Sequence, residues 1–129
     1  MRGKLDYLGD YYGSIEGTIR DIYAQDLGWF DGDPLTLHRE SPHKQSERMA
    51  DLAGGMDALL AKAKELLAED DPLGAAQLAQ HVVRLRPEDK AAKLVLADAL
   101  QLVGERTFNT TSRNYTLSSA NRIRAEAEE

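Results

Sequence analysis

The chain has 129 residues, enough for one domain with a modest core, and no cysteine, which removes disulfides, thiolate metal sites and a cysteine nucleophile. Sixteen basic residues stand against 22 acidic ones, a net charge of -6 that argues against binding a nucleic-acid backbone or docking on anionic lipid. No apolar run approaches the roughly 20 residues of a membrane span, and the opening Met1-Arg2-Gly3-Lys4-Leu5-Asp6-Tyr7 lacks the apolar stretch of a signal peptide.

Helical periodicity runs through almost the whole chain, and no stretch of strict alternation is long enough for a strand. Ser14 is placed to cap a first helix whose apolar residues Ile15, Ile19, Ile22, Tyr23 and Leu27 share one face, with Gly28 ending it. The stretch from Trp29 to Arg39, with Asp31-Gly32-Asp33-Pro34 inside it, reads as a turn and an extended connector. Trp29 and Phe30 at that turn form a packing corner. Ser41-Pro42 is a cap and first-turn proline for a helix reaching Ala53, which Gly54-Gly55 then break.

The next amphipathic segment sets Met56, Leu59, Leu60, Ala63 and Leu67 on one side. Asp71 caps a further helix with Pro72 in its first turn and a stripe of Ala75, Leu78, Ala79, Val82 and Val83. After Pro87 comes another, with Ala92, Val95, Leu96, Ala99 and Val103 before a terminating Gly104. The alanine-rich span from Pro72 to Val103, with a proline at its turn, resembles a tetratricopeptide-type hairpin. One such unit is short of the three or so that a stacked array needs. Asn109-Thr110-Thr111-Ser112 is a polar break with capping character, and a last helix over 113–126 carries Tyr115, Leu117 and Ile123. The acidic end, residues 125–129, is expected to be a frayed tail. The predicted architecture is all-α, about five helices.

Catalytic chemistry finds little foothold. His38 and His43 lie five apart across Pro42, so they do not share a helical face as two zinc-binding histidines would, and His81 sits mid-helix beside Val82-Val83. The carboxylates lie at helix starts or opposite apolar stripes, where capping and solvation account for them. Ser14 is not in a nucleophile-elbow motif and precedes a helix rather than following a strand. Gly54-Gly55 before Met56 reads as a tight inter-helix turn, with anion binding at the helix start as the alternative. Tyr11 and Tyr12 read either as a packing edge with a wet hydroxyl or as phenols that donate to an anion in a neighbouring cleft. No catalytic residue and no metal ligand is expected in this chain.

Taken in order, Tyr11-Tyr12-Gly13-Ser14, Ile22-Tyr23, Leu27-Gly28-Trp29-Phe30-Asp31-Gly32-Asp33-Pro34, Leu37-His38, Ala53-Gly54-Gly55, Leu60-Ala61-Lys62-Ala63, Leu96-Ala97-Asp98, Gly104 and Arg113-Asn114-Tyr115 resemble the dimerisation region of the alkyl sulfatases, hydrolases of the metallo-β-lactamase superfamily. The resemblance implies a dimerisation domain over residues 1–124, in a parent enzyme whose zinc and acid–base groups belong to an upstream catalytic domain. It implies a homodimer with arms exchanged between protomers, and no cofactor in this chain. Tyr12 is the one position it places facing the substrate cleft. Two departures stand out: Gly17-Thr18 replace a His-Asn pair that the family places after Tyr-Gly-Ser, and Thr111-Ser112 replace a Pro-Trp before Arg-Asn.

The residues themselves point the same way. A last helix with a thin apolar stripe, and a first helix with Trp29 and Phe30 beside it, offer more apolar surface than one hairpin covers. A peptide-binding adaptor of tetratricopeptide type is the competing reading, and it would need further repeats.

Overall fold

The computed structural model describes Ile19 and residues 32–129. The rest of the predicted first helix, the Trp29-Phe30 corner and Tyr12 lie outside the described residues. Among described residues 32–129, six helices follow one another: α1 (Pro34–Leu37), α2 (Pro42–Ala53), α3 (Met56–Ala68), α4 (Pro72–Leu85), α5 (Lys90–Arg106) and α6 (Thr110–Glu128). No strand occurs among the described residues, as an all-α fold requires.

Short polar side chains start five of these helices. Asp33 accepts from the Leu35 amide at 2.9 Å, Ser41 from Lys44 at 3.2 Å, and Asp71 from Gly74 at 2.9 Å. Asp89 accepts from Ala92 and Asn109 from Ser112, each at 2.9 Å. Each such cap satisfies an amide the helix cannot, worth about 1 kcal/mol. Proline follows the cap in α1, α2 and α4, where its fixed φ suits the first turn.

The connections are equally local. At the end of α2, Gly54 takes φ 91°, and the amides of Gly54 and Gly55 bond back to Asp51 and Ala50. This double closure is available because glycine has no Cβ to clash in the left-handed region. The same closure ends α3, with the Asp71 amide bonding Leu66 and Asp70 in the left-handed position at φ 66°. Asp70 lacks glycine's freedom there, but its carboxylate reaches Arg106 at the end of α5. Asp57–Arg86 and Asp98–Arg124 make similar exposed ties between helices. Such pairs contribute roughly 0–1 kcal/mol each and serve chiefly to fix register.

Each of the longer helices packs on its neighbours in sequence. α2 lies on α3 and α4, α4 on α3 and α5, and α5 between α4 and α6. α6 runs antiparallel to α5, since Leu117 meets Gly104 while Arg124 reaches back to Asp98. The core is small-grained. Ala50, Ala63, Ala75, Ala76, Ala79, Ala92 and Ala99 are buried beside Leu59, Leu60, Val82, Val95 and Leu96. Alanine lets helix axes approach closely while costing no side-chain entropy.

The structure departs from the sequence expectations at five places. The connector over 29–39 contains the one-turn α1, because Asp33-Pro34 is itself a helix start. Gly104 does not end its helix. It lies buried inside α5, where a Cβ would stand 2.7 Å from Leu117 Cδ2, so it is a notch that seats α6. The last helix begins at Thr110 because Asn109 supplies the cap. Tyr115 is 78% exposed rather than part of the inward stripe, which is Leu117, Ala120, Ile123 and Ala127. The acidic end is no frayed tail up to Glu128: the helix continues to that residue and buries Ala127.

Filling the notch should separate α5 from α6. Gly104→Val is expected to lower unfolding free energy in urea by about 2 kcal/mol through overpacking. Gly104→Ala should lose less, because alanine's helix preference of about 1 kcal/mol offsets part of the clash.

Candidate interaction surface

α2 has two faces of opposite character. Inward, Ser46 and Ala50 are buried, Ser46 completely, and Met49 packs at the margin of the core. Outward, Gln45, Arg48 and Leu52 share a face at spacings of three and seven. Leu52 is 79% exposed. α1 packs against no other helix among the described residues, and its Leu35 and Leu37 are 71% and 50% exposed.

Between α1 and the outer face of α2 lies an open cleft of about 310 Å³, lined by Leu35, His38, Arg39, Glu40, Gln45 and Arg48. Glu40 and Arg48 also border a second hollow of about 210 Å³ with Lys44, Glu47 and Asp51. Arg48 Nη2 bonds Glu40 Oε1 at 2.7 Å, which ties the segment after α1 to α2. Leu35 thus borders a cleft lined with charge, and Leu37 on the same short helix and Leu52 on the outer face of α2 are exposed as well. Core leucines without a core around them, rimmed by polar groups, mark a surface made to be covered.

The inward face of α2 carries a polar contact. Ser46 Oγ donates to the Pro42 carbonyl at 2.9 Å, which uses its one hydrogen. It lies 2.9 Å from His81 Nδ1 and 3.4 Å from Arg84 Nη1, both on α4. With the serine hydrogen committed, His81 Nδ1 is the donor in that pair, and this assigns its tautomer. Burial, and then the positive charge of Arg84, hold the His81 pKa below its ordinary 6.5. His81 is thus a neutral imidazole pinning α2 to α4 through a serine with no exposed surface.

The three histidines stay apart: His38 closes α1, His43 sits in the first turn of α2 beside Glu47 at 3.5 Å, and His81 is on α4. Among the described residues, no three histidine or acidic side chains come together in a metal-ligand group, and no helix is long and apolar enough to cross a membrane. Sequence reasoning missed Ser46 and the leucine edge. Both had a signal in the helical phase of α2. Ser46 shares the stripe of Met49 and Ala50, whereas Leu52 falls opposite it.

A capped helical domain with an apolar edge, whose described polar side chains form caps, ties and a pin, has the architecture of an assembly module. Residues 3–126 match the family described as alkyl sulfatase dimerisation, and the chain belongs to that family. It is 38% identical over 114 residues to a linear primary-alkylsulfatase from a Pseudomonas species, covering 88% of this chain and 17% of that protein. With a Pseudomonas (R)-specific secondary-alkylsulfatase it shares 34% identity over 127 residues, 96% of this chain and 19% of that protein. The solved structure of the stereoselective inverting sec-alkylsulfatase Pisa1 from Pseudomonas superposes with a TM-score of 0.84 at 33% identity, over 92% of this chain and 19% of that one. The chain spans about a fifth of the length of these relatives and corresponds to their dimerisation portion.

The pin generates a stability test. His81 binds its proton less readily folded than unfolded, so its contribution is fully present above pH 6.5 and is lost as the pH falls through the lower folded value. Denaturant unfolding from pH 8 to pH 5 should show that loss, and His81→Gln should flatten it. Ser46→Ala should cost about 1–3 kcal/mol at pH 8, the price of a buried donor left without its acceptor.

Proposed function

We propose that this chain is the homodimerisation module of a larger sulfate-ester hydrolase. The observation that carries the reading is the leucine edge of Leu35, Leu37 and Leu52, on a domain whose family is defined by dimerisation. Ile19 adds to it: this residue of the first helix's apolar stripe is helical and half exposed, so a single copy leaves it incompletely covered. A second copy would bury these side chains, with the segment up to α2 exchanged between protomers.

The hydrolytic chemistry belongs to an upstream catalytic domain in this proposal. Zinc held by that domain would supply the Lewis acidity that activates water against the ester. This chain contributes assembly and one wall of the entrance. Tyr12, outside the described residues, is the side chain nominated to donate a hydrogen bond to the anionic group of the substrate, for which its phenol is suited. The alkyl sulfate class of substrate follows from the names of the relatives.

Replacing exposed leucines by a charge should weaken the pair without touching the core. Leu35→Asp combined with Leu52→Asp is expected to raise the dimer dissociation constant at least tenfold in sedimentation velocity, with the helical circular dichroism unchanged. A parent chain that sediments as a monomer at tens of micromolar would overturn the proposal.

A further inference from the structure

α6 is built unlike a helix meant for water. Among the described helices it packs on α5 alone, with Leu117, Ala120, Ile123 and Ala127 turned inward. Eight of its 19 residues are Ser, Thr or Asn, whose side chains compete with the helical backbone for hydrogen bonds. A helix polar around most of its circumference holds either by many ion pairs along its surface or by bridging two bodies. Among the described residues α6 has one such pair, Arg122–Glu126, close to its C-terminal end. Its outward line is Thr111, Tyr115, Ser118 and Arg122, spaced four, three and four apart and all exposed. From residue 107 to residue 125 the chain holds three arginines, no lysine and no carboxylate, against a net charge of -6 overall. α3 shows the contrast: its outward side chains include Lys62, Lys64, Glu65 and Glu69, and Lys62 pairs with Glu65 at 2.7 Å.

We infer that the outer face of α6, with Tyr115 at its centre, is where the catalytic domain of the same polypeptide docks. This rests on the proposal that the chain is one module of a larger hydrolase. The chain spans about a fifth of the length of its relatives, so the larger part of a parent of that size lies outside it. Chemistry assigns the occupant. Obligate contacts between copies are apolar, like a core cut in half, and the exposed leucines of α1 and α2 have that character. Contacts between domains of one polypeptide are more polar, because the tether supplies association that burial would otherwise have to drive. The α6 line is of the second kind: one aromatic, two hydroxyls and a guanidinium. Tyr and Arg are the side chains enriched where protein surfaces meet, and Lys and carboxylates, missing from this stretch, are the ones depleted there. Tyr115 is largely exposed and makes no hydrogen bond among the described residues, which leaves a ring to pack and a hydroxyl to donate. Arg113, one turn before Leu117, is exposed without an ion pair among the described residues. The complementary surface therefore bears carboxylates, facing a stretch that has none of its own.

Photo-crosslinking in the parent polypeptide tests this. With Tyr115→p-benzoylphenylalanine, irradiation should give a product of single-chain mass whose joined peptide maps upstream of residue 1. A product of doubled mass would overturn the inference by assigning the face to a second copy, and so would the absence of any product. Amide hydrogen exchange gives a second reading without the unnatural residue, should that variant misfold. Protection over residues 110–122 should be at least tenfold higher in the parent than in the 129-residue chain, with residues 75–99 within twofold. Equal protection over 110–122 would overturn the docking. Tyr115→Ala should leave urea unfolding of the 129-residue chain unchanged and cut the gain seen in the parent at least threefold; an undiminished gain would count against Tyr115 as the centre of the contact. Leu52→p-benzoylphenylalanine keeps the two proposals apart, since the leucine edge should give the product of doubled mass. Its failure beside a single-mass product from position 115 sinks the dimer edge alone, and the reverse pattern sinks the α6 docking alone.

Discussion

Close approach of helices through small side chains governs this domain. Alanines line the contacts among α2, α3, α4 and α5, and Gly104 does the same between α5 and α6. Such contacts gain packing at little entropic cost, but they hold few large apolar groups. The core owes its volume to a handful of leucines and valines on α3, α4 and α5. The ends of the domain are therefore attached more weakly than its centre: among the described helices α6 packs on α5 alone, and α2 is seated by a serine, an alanine and the flank of a methionine.

That gradient explains where polar interactions matter. In the centre, helix caps and left-handed closures settle the backbone locally, and the Asp–Arg ties add register on the wet surface. At α2 a polar contact is part of the attachment itself. Ser46 is buried without exposed surface, and its oxygen gathers the Pro42 carbonyl, His81 and Arg84.

Most of the fold was legible because its signals are local. Ser41-Pro42 and Asp71-Pro72 are caps with first-turn prolines, and both start helices as expected. The stripe Ala75, Ala79 and Val82 is buried as its period requires, with Leu78 and Val83 at the core margin. Gly104 was misjudged because a glycine near the end of a periodic stretch looks identical whether it stops the helix or admits a neighbour; only Leu117, which packs into it, distinguishes the two. The Ser46–His81 contact joins residues 35 apart, a separation that no local pattern encodes. Leu52 could have been noticed, since an apolar residue out of phase with its own stripe must answer to another surface.

The proposed dimer has an energetic reason to involve more than three leucines. Full burial of an exposed leucine returns roughly 1.5–3 kcal/mol, and association costs roughly 4–15 kcal/mol in lost freedom. Leu35, Leu37 and Leu52 from each of two copies thus stand near the margin of a stable pair. Exchange of an arm changes that balance. The seat of α2 already exists on every protomer, so an exchanged α2 regains the same contacts to α3 and α4 that it left, and needs no new complementary surface. The closed monomer and the exchanged dimer then differ mainly in the Gly54-Gly55 turn and in the apolar surface that the crossing chains cover together.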